Sequence, residues 1–133
     1  AGRPAGPCAF YAQLRAGLIA HAEHEVRLSH PQPDGATLRQ HLQRAAQATG
    51  RADALLLQRP PAAATQVWQA FCDLSSRRPP GGAIALVEIE AWQRLHRAEL
   101  TGWEVDCITA LDDAAMATAA ELQRKATLAG KPQ

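Results

Sequence analysis

The chain has 133 residues, 20% of them charged, and a formal net charge of +1, so it makes no strong electrostatic call on nucleic acid or on a membrane surface. Its length fits one domain with a real core, and no apolar run is long enough to cross a bilayer. Aromatics are only 5% of the residues while alanine is abundant, which favours an all-α chain over one built from strands.

Residues 1–7, from Ala1 to Pro7, read as a flexible leader without an apolar signal core. Residues 8–33 read as an N-terminal helix and a proline-rich joint. Phe10, Leu14 and Leu18 fall at four-residue intervals with Tyr11 alongside, which suits one helix face, and Gly17 weakens that helix slightly. Ser29-His30-Pro31-Gln32-Pro33-Asp34-Gly35 then breaks the chain.

From residue 34 to 128 the sequence predicts the main helical domain. Leu38, Leu42, Ala45 and Thr49 form a stripe that Gly50 stops. Ala54 to Leu57 suits one further turn. Pro61 suits a first helical position, where its missing amide costs nothing, and Val67, Trp68, Phe71, Cys72 and Leu74 follow as the densest apolar stripe. Arg77 to Gly82 is a breaker. Leu86, Ile89, Trp92 and Leu95 then resume helical spacing, with no serine or threonine ahead of them as a cap.

Thr101 with Glu104 fits a capping box, in which the hydroxyl takes a helix-start amide and the carboxylate reaches back. The last helix runs from there to about Leu128 with Ile108, Leu111, Ala115 and Leu122 on one face, and residues 129–133 form a flexible tail. Two amphipathic helices therefore meet near Leu100, each bringing one indole, Trp92 or Trp103, to the joint. The expected fold is a compact all-α bundle of about five helices in one domain. Its core falls on the 67–74, 86–95 and 103–111 stripes.

Few residues suggest chemistry. His21, His24 and Glu25 could share a helix face and contact a metal, but no third region supplies a further ligand, and a solvated face is the simpler reading. Asp112 and Asp113 are adjacent on a helix and point apart, so they do not make a carboxylate pair with Asp106. Asp112 reads as a surface charge at a partner interface. Cys8, Cys72 and Cys107 lack metal-type spacing and read as buried thiols of a reducing compartment, the cytoplasm. Tryptophan is seldom fully buried and is enriched in binding hot spots, which leaves Trp68, Trp92 and Trp103 as candidates for a protein contact.

Over residues 36–117 the chain resembles the phage and prophage tail assembly chaperones. The likeness rests on Thr37-Leu38-Arg39-Gln40-His41-Leu42, on Ala48-Thr49-Gly50-Arg51, and on Val67-Trp68-Gln69-Ala70-Phe71 after Pro60-Pro61. Its most specific part is Glu88-Ile89, Ala91-Trp92, Leu95, Leu100, Trp103-Glu104-Val105, Ile108 and Leu111-Asp112-Asp113-Ala114. The resemblance implies a non-catalytic protein that binds tape-measure protein and helps recruit tail-tube subunits, with no cofactor and no metal. Trp68, Phe71, Ile89, Trp92, Trp103 and Asp112 are the expected partner-binding residues. Residues 1–33 look like an addition outside the shared region. The alternative is a prophage-encoded helical adaptor or regulator, a homodimer formed through Phe10–Leu18 and Leu38–Thr49.

Overall fold

The computed structural model describes residues 7–130, so residues 1–6 of the expected leader and residues 131–133 of the expected tail lie outside it. Five α-helices follow in order: α1 (Pro7–Ser29), α2 (Leu38–Thr49), α3 (Thr65–Ser75), α4 (Leu86–Leu95) and α5 (Gly102–Ala129). Two 3-10 turns, Ala54–Leu57 and Ala62–Ala64, lie between α2 and α3. The described residues contain no strand, only an isolated bridge between Pro31 and Thr37. The fold is all-α, as the composition indicates.

Three helices run the same way and make the core. Tyr11 at the start of α1 lies against Trp103 at the start of α5, and Leu14 and Val67 share a recess with them. At the far end Ser29, Ser75 and Ala115 come together around another recess. Leu18 and Ala22 of α1 therefore interlock with Val67, Ala70, Phe71 and Leu74 of α3 and with Ile108, Leu111 and Ala115 of α5. Thus α1 is part of the core rather than an appendage to it. Gly17 also has a use there, since a Cβ at that position would sit 3.0 Å from the ring of Pro61. The missing side chain lets the proline segment cross α1 closely.

Local signals account for the helix ends. Thr37 and Gln40 form a capping box at the start of α2, and Gly50 closes it with φ 75°, a left-handed conformation that glycine adopts without strain. Thr101 and Glu104 form the expected box on α5. Pro61 stands ahead of the 3-10 turn with ψ 128°, outside helical geometry, and α3 begins at Thr65 rather than at the proline.

The outer helices add little to the core, and α4 corrects an expectation. α2 buries no residue; its Arg39 meets Glu25 at 2.5 Å and Ser29 at 2.8 Å on α1. α4 contributes Ile89 alone to the core, while Leu86 and Leu95 of the expected buried stripe are 67% and 80% exposed. With one buried residue in ten, and Trp92 packed half-buried against the core's edge, α4 lies on the protein rather than in it.

Candidate protein-binding surface

α4 packs on the last turns of α3 and leaves a cleft of about 570 Å³ between them. One wall is Asp73 and Leu74 of α3 with Arg77 just beyond its end; the other is Glu88, Ala91, Trp92 and Leu95 of α4. Trp92 is set by two contacts. Its indole N–H donates to the Asp73 carboxylate at 3.2 Å, and its ring stacks on the His96 imidazole with centroids 4.5 Å apart. A half-buried indole held at its polar edge presents its apolar face to the cleft, the arrangement that makes tryptophan useful in recognition. Beyond the cleft, Val87 is 69% exposed, which extends the apolar surface around α4.

A second recess, of about 640 Å³, lies at the joint of α1 and α5 and is lined by Cys8, Tyr11, Ala12, Arg15, Thr101 and Trp103. Tyr11 packs on Trp103 at 4.9 Å between centroids, and Phe10 packs edge-on against Tyr11 at 5.5 Å. Trp92 and Trp103 thus do not meet at one joint. Each finds its own partner, Trp92 on α3 and Trp103 on α1, because the segment after Leu95 turns back before α5 begins. Arg97 makes that turn with φ 49°, and the Leu100 amide donates to the Gln93 side chain at 2.9 Å.

Three of the remaining expected contact residues are interior. Phe71 and Ile89 are buried in the core, so neither offers a free surface. Asp112 is 2% exposed and is not a surface charge. Arg78 donates to one of its oxygens, and the Ile84 amide donates to the other at 2.8 Å. This carboxylate therefore fixes both ends of the Arg78–Ile84 loop that delivers the chain to α4. Spacing could have shown it: Asp112 follows Ile108 by four residues and precedes Ala115 by three, which places it on the apolar side of α5.

Trp68 is half-buried between His21 (4.6 Å between centroids) and Phe71 (5.5 Å), beside a recess of about 290 Å³ formed by α1 and α3. His21 is 7% exposed, and that burial holds its imidazole below the ordinary value of 6.5, although Glu25 pulls the other way. His24 instead donates to the Leu55 carbonyl at 2.8 Å, and Glu25 is engaged by Arg39. His21 stays within 3.8 Å of Glu25 and stacks on His24, as a shared face requires, but each of the three also has a further partner, in Trp68, Leu55 or Arg39. Among the described residues no group of three or more His, Cys, Asp or Glu is placed to hold a metal ion.

The cysteines differ from one another. Cys107 is buried and Cys72 half-buried, and burial pushes both thiols above their usual range; Cys8 is exposed, contrary to the buried-thiol expectation. No described helix is long and apolar enough to cross a membrane.

A family model described as phage tail assembly chaperone matches residues 45–117, more than half of the chain. The chain belongs to the phage tail assembly chaperone family. No curated protein and no solved structure matches it. The matched stretch runs from the end of α2 to Ala117 and contains every residue of the α3–α4 cleft. Tyr11, which completes the other aromatic recess, lies outside it, as does all of α1. The general role of this tail assembly chaperone family member is therefore in building a phage tail. Sequence reasoning missed Asp73 and Tyr11, the partners of the two indoles, since each lies on a helix remote in the chain from the tryptophan it contacts.

Proposed function

We propose that the protein acts without catalysis in the host cytoplasm. It shields apolar helical segments of the tape-measure protein and helps recruit tail-tube subunits. The observation that carries this reading is the α3–α4 cleft within the family-matched stretch, a groove in which Leu74, Ala91, Trp92 and Leu95 stand among the polar Asp73, Ser76, Arg77, Glu88 and His96, and whose rim residue Leu95 is 80% exposed. A groove of this kind takes one face of an amphipathic helix through side chains at three- and four-residue spacing. The fixed indole of Trp92 supplies a rigid wall, and Leu95, Leu86 and Val87 supply apolar area that water covers in the unbound chain.

The test is co-expression with the tape-measure protein of the same phage or prophage, followed by affinity recovery and measurement of the complex. Leu95→Glu places a charge on the cleft rim at an exposed position, so folding stability should change by no more than about 0.5 kcal/mol. Binding should weaken by at least about tenfold if Leu95 meets an apolar partner face. Recovery of an unaffected complex from the variant would sink the cleft as the site. Absence of any complex with the parent chain would sink the tape-measure reading itself.

A further inference from the structure

α1 and α3 cover adjoining sides of α5, and the Arg78–Ile84 loop covers another through Asp112. The remaining side is bare. Thr109, Asp113, Ala117, Ala120 and Arg124 recur there at intervals of three or four residues, which puts them on one helix face, and all five are exposed. Among the described residues neither Asp113 nor Arg124 forms an ion pair. The helix has 28 residues and is about 42 Å long, so this is an extended unpartnered surface with an acid in one half and a base in the other.

We propose that this face of α5 pairs with the same face of a second copy of the chain, antiparallel about a two-fold axis. Charge selects the direction and the register. A parallel pairing in register would set Asp113 against Asp113. One antiparallel register sets Asp113 against Arg124 of the second copy, and the two-fold axis makes that contact twice. Asp113 and Arg124 are separated by almost a whole number of turns, so they point the same way within about 20°. That is required here, because an antiparallel two-fold pairing brings like flanks of the two helices together.

The same register places Ala117 against Ala120 of the second copy. Small side chains at the crossing allow the axes to approach to about 8 Å, the close end of helix packing. It also covers the end of α5. Residues 123–130 are all exposed, and in this register residues 123–128 lie beside the second copy's α5 between Thr109 and Ala114. The surface is separate from the α3–α4 cleft, so the pairing is independent of partner binding there.

The experiment is analytical ultracentrifugation of the whole chain over a concentration series, at low and high salt. The expected result is a monomer–dimer equilibrium whose dissociation constant rises with salt. Asp113→Arg and Arg124→Asp should each raise that constant about tenfold or more, since each sets like charges across the axis twice. The double reversal should return it to near the parent value. Both positions are exposed, so circular dichroism and thermal midpoints should confirm that every variant folds. A chain that stays monomeric at every concentration would overturn the proposal. So would a dimer indifferent to either single reversal, or single losses that the double reversal does not repair.

Discussion

α5 starts on a hydroxyl–carboxylate box and sinks Cys107, Ile108, Leu111, Asp112, Ala115 and Thr118 into the protein, whereas α4, the helix before it, starts on uncapped Ala85 and sinks only Ile89. Each carries a tryptophan, yet the two helices are held by different physics. α5 is stabilised by apolar area removed from water on several sides. α4 is held mainly at points: the Trp92–Asp73 bond, the Gln93 bond to the Leu100 amide, and the loop anchored by Asp112. A helix fixed at points keeps its apolar residues free for another protein, whereas a helix fixed by burial has already used them.

The largest effect expected from this contrast is in α5. Leu111→Ala should cost about 2–5 kcal/mol, read as a lowered denaturant midpoint, because Leu111 is fully buried among three helices. A loss below about 1 kcal/mol would mean that α5 is not the central element. Next is the anchor between the two helices. Asp112→Ala leaves Arg78 and the Ile84 amide without their shared acceptor and should cost about 3 kcal/mol. Amide hydrogen exchange should then show early opening of residues 78–95 with α1 still protected. Uniform loss of protection across all helices would show that α4 is not separately held.

A smaller change should narrow the contrast. Ala85→Ser would give α4 the N-cap it lacks, with Glu88 already at the third helical position to complete a box. Thermal unfolding should register a gain of about 1 kcal/mol. No gain would mean that the start of α4 is fixed by its loop rather than by its own end.

The smallest effect lies away from both helices, at His21. Its imidazole is held below 6.5 by burial, so in acid the unfolded chain takes up a proton that the folded chain resists. The contribution is fully present above pH 6.5 and is lost as pH falls from there through the depressed folded value. Unfolding curves between pH 7.5 and 5 should show this decline for the parent chain and a flatter one for His21→Gln. Equal slopes would remove His21 as the source.

Much of the local structure was legible because it depends on near neighbours. Thr101 with Glu104 marked the start of α5, Gly50 marked the end of α2, and Ser29 to Gly35 marked the break after α1. Each is an exchange between side chains and backbone within a few residues, so spacing alone carries it. The family was legible as well, because its pattern sits in one continuous stretch.

The surface that remains free was not legible. Leu86, Ile89, Trp92 and Leu95 have the spacing of a buried stripe, yet only Ile89 is buried, Trp92 reaches the core's edge, and Leu86 and Leu95 stay exposed. Periodicity says which residues share a face; it does not say whether another helix is available to cover that face. Here α1 takes the place beside α5 and closes the core with Leu18 and Ala22. Asp112 shows the converse, a charge on a buried face that became tolerable only when Arg78 and the Ile84 amide arrived from elsewhere in the chain. The sequence by itself determined the helices, most of their ends and the family, because these rest on residues near one another in the chain. The tertiary structure alone decided which apolar side chains are covered, because that depends on which helices compete for the same core.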